Sequence, residues 1–537
     1  MMKIWTTAII FLITIGAWAQ KATLSGVVTD GQTGETLVNA TIILNADDVR
    51  GVITNENGFF SLPGIEKQQF QISVSFMGYQ TLERQVNLRG KTSRFIEVEL
   101  QPSDIEVEQV VVMGEGPEHL GDRDVEISHH TLTPKAIKSI PTARNDVFKA
   151  LRYLPGIEPT EPLSPLVSVR GSDPGENLIM LDGVTIYNPY HFISSTGIFN
   201  MQTVKNVDMM VGGFGAEYGG RNSSVINIAT KDGNNSELHG EIHPSSTESK
   251  VFLEFPVGEK TTMMAAGRFN YDIPGNFLLY SNNYFYDVNL SLTHRFNARN
   301  RITLKYFGSR DRTNLDFNNY YKYIGNSLGM EDVFNDMRLE YVNQWSNNIA
   351  TAIYRSVLSP KVFLRAQVSA SLHRADNSTE MDVMIDDVGY DTSTLFKSRV
   401  DDYTAKMSIS YKPFFWNEIK AGADYSNYRF MNGSELNGID NGSAQKRPDL
   451  FAFFAEDKIT AGMLTVRPGL RVTRFNGGEY LYEPRMNLVL NLPRDFKIQA
   501  AYGLYKQYIV SMNTQEFEFN QFLDYYYPLI NHRPSVS

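Results

Sequence analysis

The chain has 537 residues, with 50 basic against 60 acidic side chains and a formal charge of −10. That length allows several domains with large cores, and the acidic balance leaves no basic stripe to displace counterions from nucleic-acid phosphates. With no cysteine, a disulfide scaffold, a cysteine nucleophile and thiolate metal sites are excluded. The N-terminus is the first element to read. Lys3 precedes an apolar run from Ile4 to Gly16, and Ala17-Trp18-Ala19 has the small-residue pattern of a cleavage site, so residues 1–19 are expected to be an export signal. The run is shorter than the ~20 apolar residues of a spanning helix.

From Thr23 to Leu100 short β-rich runs alternate with turn chemistry, which predicts a sandwich. Strands are expected over Leu24–Thr29, Ala40–Leu44, Gly51–Thr54, Phe59–Leu62, Phe70–Phe76, Thr81–Leu88 and Phe95–Leu100. Asp30-Gly31, Asn57-Gly58 and Pro63-Gly64 supply the turns. The ordered series Gly26-Val27-Val28-Thr29-Asp30, Thr33-Gly34-Glu35, Ala40-Thr41-Ile42 and Thr54 to Phe60 resembles the carboxypeptidase regulatory-like domain. That resemblance implies a seven-stranded sandwich over residues 20–101 without catalysis of its own. Asp30, Asn55, Glu56 and Asn57 read as turn formers in preference to a calcium loop.

Catalytic patterns fail on inspection. No histidine sits in H-E-x-x-H or in a zinc pair. Gly90-Lys91-Thr92 resembles the end of a P-loop, but Gln85 stands where its first glycine belongs. Gly213-Phe214-Gly215-Ala216-Glu217-Tyr218 lacks the third glycine of the dinucleotide fingerprint. The expectation is a non-enzyme with no cofactor and no metal.

Residues 102–134 read as an acidic, turn-rich linker. Within it, Val107-Glu108-Gln109-Val110-Val111-Val112-Met113 has two readings: an edge strand of the sandwich, or an extended segment that adds to a partner's sheet. Asp146 is placed to cap a short helix carrying Val147, Leu151 and Leu154, which Pro155-Gly156 stops. Then come Val167 to Arg170-Gly171, Asn177 to Leu181-Asp182-Gly183-Val184, Tyr187-Asn188-Pro189 and Val204 to Val211. Gly212 to Glu217-Tyr218-Gly219-Gly220-Arg221 and Ser224 to Ile228 complete the series. This order resembles the plug domain of TonB-dependent outer-membrane receptors, over residues 135–235. The resemblance implies that Val107 to Met113 is the TonB box. Asp182-Gly183 predicts a hairpin turn, and Arg170, Glu217 and Arg221 are either partners for a polar barrel wall or plain surface charge.

After Asn235 aromatics concentrate and alternation sets in. Tyr284, Tyr286, Val288, Leu290 and Leu292 interleave with Asp287, Asn289, Ser291 and Thr293; similar patterns run from Val362 to Leu372 and from Tyr403 to Lys412. Short turns are expected near 257–260, 297–300, 358–361, 413–417, 460–462 and 492–495. Longer links are expected near 271–283, 311–340, 376–398 and 431–448. Alternating short and long connections fit periplasmic turns and extracellular loops. The fold class is therefore all-β dominated: a small sandwich, a mixed α/β plug and an antiparallel transmembrane barrel over 236–537. About 13 strands are legible where plugged transporters have 22, and Ser537 is not the aromatic terminus common in the resembled family, so a truncated chain is expected.

The function implied is import of a scarce nutrient, small or oligomeric, powered by inner-membrane TonB, in contact with outer-membrane lipid and with a possible surface or periplasmic partner protein. The alternative is a non-transporting surface binder or adhesion protein; a peptidase is disfavoured. Tyr320, Tyr321 and Tyr323 are candidates for stacking on a ligand, against a role in loop or girdle packing. Asp382, Asp386, Asp387 and Asp391 read as a solvated acidic loop in preference to a calcium site. Nothing in the sequence separates siderophore, cobalamin, oligosaccharide and peptide.

Overall fold

A computed structural model describes residues 21–45, 50–103, 128–143, 146–160, 166–191, 196–271, 273, 276, 282–318, 337–385, 388–493, 496–511, 526–529 and 535–536. The expected export signal and the Val107–Met113 segment lie outside the described residues, as do Tyr320, Tyr321, Tyr323, Asp386 and Asp387.

Seven strands form the N-terminal unit: β1 (Ala22–Asp30), β2 (Thr41–Asn45), β3 (Arg50–Ile53), β4 (Phe59–Ile65), β5 (Gln69–Ser75), β6 (Leu82–Asn87) and β7 (Ser93–Leu100). Sheet β4-β1-β7 faces sheet β3-β2-β5-β6, and alternate residues such as Leu24, Ile42, Leu62, Ile72 and Val98 fill the shared core. Burying such side chains stabilises by roughly 1.5–3 kcal/mol each.

The central unit is built on a five-stranded sheet. Its strands are β8 (His129–Leu132), β11 (Asn177–Leu181), β12 (Val184–Thr185), β13 (Val204–Val211) and β14 (Ser224–Thr230), in the order β12-β11-β14-β13-β8. β9 (Ile157–Pro159) and β10 (Val167–Val169) pair separately. Helices α1 (Pro134–Ser139) and α2 (Val147–Leu151) pack on the sheet through Ile137, Val147, Phe148 and Leu151. Asp146 caps α2 as expected, accepting from the Lys149 amide at 2.9 Å. Asp182 and Gly183 both take positive φ, 52° and 83°, in the turn from β11 to β12, the conformation that a two-residue hairpin turn of this kind demands.

The largest sheet has fourteen strands. They are β15 (His239–Pro244), β16 (Glu248–Pro256), β17 (Thr261–Asn270), β18 (Tyr284–Asn297), β19 (Asn300–Asp316), β20 (Met337–Ser359) and β21 (Val362–Ile385). There follow β22 (Val388–Phe414), β23 (Asn417–Leu436), β24 (Ile439–Lys446), β25 (Asp449–Ala461), β26 (Leu464–Phe475), β27 (Tyr480–Asn491) and β28 (Lys497–Gly503). Each is antiparallel to the next along the path, except that β24 pairs only with β23. All six short turns fall where the alternation placed them.

Burial across this sheet is inverted relative to a water-soluble fold. On β18, Asp287 and Thr293 are only 1% exposed while their apolar neighbours face out; on β21 and β22, Val368 is 57% and Tyr403 52% exposed. A wall with its polar face packed inward and its apolar face outward suits a lipid surround.

Two of the expected long links are corrected. Residues 376–398 continue β21 into β22, paired from Asp376 opposite Lys397 to Ile385 opposite Val388. Residues 431–448 likewise continue β23 and add β24. Backbone ladder bonds carry these strands past the point where side-chain alternation fades.

Candidate functional site

The central unit sits against the polar face of the wall, and the Asp182-Gly183 turn is one of its contact points. Lys305 of β19 reaches Asp182 Oδ1 at 2.9 Å and the Thr230 carbonyl at 2.9 Å, with Asp232 at 3.5 Å. Gln367 of β21 donates to the Asp182 carbonyl at 3.1 Å, and Lys406 of β22 to the Gly183 carbonyl at 2.9 Å.

The glycine-rich run is held mainly through its backbone. Arg485 of β27 donates to the carbonyls of Gly215 and Tyr218, Arg471 of β26 to that of Glu217 at 3.0 Å, and Asn487 to that of Gly213 at 2.6 Å. In return the Ala216 amide donates to Glu456 of β25 at 2.8 Å. Small residues are needed because the wall comes so close: a Cβ on Gly215 would stand 2.7 Å from Glu456 Oε2, and one on Gly219 would collide with Arg471. Arg471 cannot swing away freely, since it also pairs with Asp424 at 2.9 Å.

The three charges singled out in the sequence separate. Glu217 pairs with Lys420 of β23, a wall contact. Arg221 instead donates to the carbonyl of Ile509, at 3.0 Å, in the segment after β28 that folds inward. Arg170 contacts Ser128 Oγ within the central unit at 2.9 Å, so of its two readings the wall partner is not the one found. Its φ of 52° at the end of β10 aims the side chain back along its own unit.

A node the sequence did not disclose lies where the 186–200 loop meets β17, β18 and β19. His191 is fully buried, with Nδ1 2.9 Å from Asp311 and Nε2 3.2 Å from Asp287. Arg268 bonds Asp287 and the Gly197 carbonyl, and approaches His191 Nε2 at 2.8 Å. Phe285 stacks on the imidazole at 3.6 Å. Burial lowers the histidine pKa, but the two carboxylates together outweigh it and leave it raised. Farther round, Tyr187 donates to Asp402 at 3.1 Å and Asn347 to the Asn188 carbonyl at 3.0 Å.

At the short-turn end the sandwich docks beneath this assembly. Phe59 stacks on Phe363 of β21 at 5.5 Å, Ser61 donates to the Pro360 carbonyl at 2.7 Å, and Lys205 pairs with Glu35 at 3.0 Å. Glu56, in the turn before β4, approaches Arg365 at 3.7 Å with its side chain 40% exposed. Burial pushes its carboxyl up, yet Arg365, Lys420 and Arg355 hold it at about 2. Glu217 is pushed up by burial and by Glu56, against the pull of Lys420.

A central unit packed on the polar face of an antiparallel wall whose outer face is apolar is the fold seen in TonB-dependent outer-membrane receptors. Comparison with known proteins agrees. Residues 122–226 match the TonB-dependent receptor plug domain and residues 24–112 the CarboxypepD_reg-like domain. The TonB-dependent transporter Oar of Myxococcus xanthus is 25% identical over 244 residues, which cover 43% of this chain and 22% of that protein. The ferric enterobactin receptor PfeA of Pseudomonas aeruginosa superposes with a TM-score of 0.52 at 16% identity, over 73% of this chain and 64% of that one. The outer-membrane transporter YddB of Escherichia coli gives 0.53 at 14% identity, over 71% and 61%. The chain thus spans about a fifth of the curated relative and under two thirds of these structures.

Proposed function

We propose that the chain works as a TonB-dependent importer of the outer membrane. In this reading residues 20–101 form the sandwich, 102–134 the linker, 135–235 the plug and 236–537 the wall, with 1–19 removed on export. The observation that carries it is the chemistry of the plug–wall contact. Charged and amide side chains of seven wall strands grip backbone carbonyls and carboxylates of the plug, beside apolar contacts such as Phe307 and Ile349 on the plug core and Tyr187 against Val400 and Phe430. Water can replace polar contacts as they part, so the polar share of this contact gives way to a pull at little cost.

Pulling would act through Val107 to Met113, which would add as a strand to the sheet of TonB. The cargo is a scarce nutrient, small or oligomeric, captured above the plug, with Tyr320, Tyr321 and Tyr323 as candidate contacts. PfeA is a ferric enterobactin receptor, and a ferric siderophore is the first cargo to try. No catalytic step forms part of this reading. Deleting residues 107–113 should abolish energised uptake while leaving cell-surface binding of the same ligand intact. Uptake that survives the deletion would overturn the box assignment, and binding without any uptake in the intact chain would favour a surface binder.

A further inference from the structure

The outer face of the wall changes chemistry along its strands. Counting up from the short turns it is apolar, with Leu304 and Tyr306 on β19, Val368 on β21, Tyr403 and Met407 on β22 and Tyr425 on β23 exposed. At the far end of this band, positions of the same outward parity become basic: Arg310 on β19, Arg374 on β21, Arg399 on β22 and Arg429 on β23. The ladder is unbroken between band and arginines, so the parity holds. Arg310 lies opposite Ser346, Ser346 opposite Arg374, and Arg374 opposite Arg399; Arg429 lies opposite Asp401. From Asn300 to Arg310 the strand has 11 residues and from Val362 to Arg374 it has 13, at and just past the ~9–11 residues that a tilted membrane strand requires.

Two arginines directly across from one another repel, and the nearest carboxylates of the same face, Asp376 and Asp401, are fewer than the four arginines. Asp401 pairs with Arg374, and Glu435 with the neighbouring Lys397 at 2.7 Å. Arg310 has the neutral Gln344 at 3.1 Å. With its amide turned to suit its neighbours, the Gln445 carbonyl accepts from both Arg429 Nε, at 2.9 Å, and Arg447. Arg399 has no hydrogen-bond or ion-pair partner among the described residues.

We propose that this arginine row binds the phosphate of an anionic lipid in the outer leaflet, with the acyl chains lying down the band past Tyr403 and Val368. Guanidinium groups suit a phosphate because their paired N–H donors match its oxygens. The inference rests on the membrane reading of the apolar face.

The test uses the purified full chain in neutral detergent, with dioleoyl phosphatidic acid as the probe and native mass spectrometry counting bound lipid. Phosphatidic acid should be retained over phosphatidylcholine. Arg399→Gln should cut its occupancy about tenfold, and Arg399→Lys should keep most of it. Because the Arg399 side chain has no partner among the described residues, its loss breaks no pair among them. Equal retention of the two lipids, unchanged binding in Arg399→Gln, or displacement by equimolar inorganic phosphate would overturn the proposal. A flotation assay with phosphatidylcholine vesicles separates the two levels. If the wild-type chain does not float, the membrane reading itself falls; if it floats without a phosphatidic-acid preference, only the lipid site does.

Discussion

His191 has two hydrogen-bonding states, and they differ in how firmly the 186–200 loop is tied to the wall. The neutral ring donates from Nδ1 to Asp311 and accepts from Arg268 at Nε2; the protonated ring donates to both Asp311 and Asp287. Because the folded pKa is raised, the protonated ring contributes stability that is complete below the ordinary histidine value of ~6.5 and is lost as pH climbs through the raised one. Plug release by urea, read by pulse proteolysis after return to a common pH, should therefore occur at lower urea at pH 9 than at pH 6. His191→Gln should flatten that difference; a midpoint equally pH-dependent in the variant would refute the assignment. Glycine in the plug run is a second matter at this scale. Gly219→Ala forces Arg471 off the Glu217 carbonyl and away from Asp424, at a cost of about 1–3 kcal/mol by the same assay. The run's small residues were legible in the sequence, but their cause was not, since Glu456 and Arg471, the wall side chains that demand them, lie some 240 to 255 positions later. The histidine node was hidden for a related reason: Asp287 read as one more polar residue in an alternating strand, and His191 as an isolated residue in a loop.

Individual strands meet the plug through single cations, and Lys305 on β19 shows what each is worth. It is 6% exposed and serves Asp182, Asp232, and Thr230 together. Lys305→Met would leave two buried carboxylates without their nearest cation, a loss of about 3–5 kcal/mol, whereas Lys305→Arg should recover part of it. Chemical denaturation in detergent of the three forms gives the ordering, and a methionine variant as stable as wild type would contradict the ion-pair account. The turn before β4 acts in the opposite direction along the pH scale. Glu56 is held at about 2, so its carboxylate favours docking above the ordinary glutamate value of ~4.3 and the benefit disappears as pH falls toward 2. Its exposure screens the effect. Cross-linking between cysteines placed at Ser61 and Lys361 should weaken between pH 5 and pH 3, and Glu56→Gln should show the weakened level already at neutral pH. Element existence was readable wherever one face was apolar, as in β18 and the first half of β22. It failed over Asp376 to Glu380, where both faces are polar and only main-chain hydrogen bonds define the strand.

Across the whole molecule the decisive property is which face of the wall is buried. Alternation on β21 shows in the sequence, but a period of two is the same for a strand facing a dry core and for one facing lipid. Direction becomes evident only when Gln367 and Ser371 are seen to bond the plug while Val368 projects 57% exposed. That arrangement predicts very unequal costs for the same substitution at adjacent residues. Val368→Arg places a charge midway along the apolar band and should cost about 2–4 kcal/mol when the chain folds into lipid vesicles. Ser369→Arg, on the inward parity of the same strand, faces the polar side of the wall and should cost much less. If the outer face were instead covered by another protein domain in water, the two variants would rank by steric fit and the cost at Val368 would not depend on bilayer thickness. Measuring both in vesicles of short-chain and long-chain lipid distinguishes these cases, because a residue at the midplane of a thicker bilayer lies farther from the interface to which an arginine can snorkel.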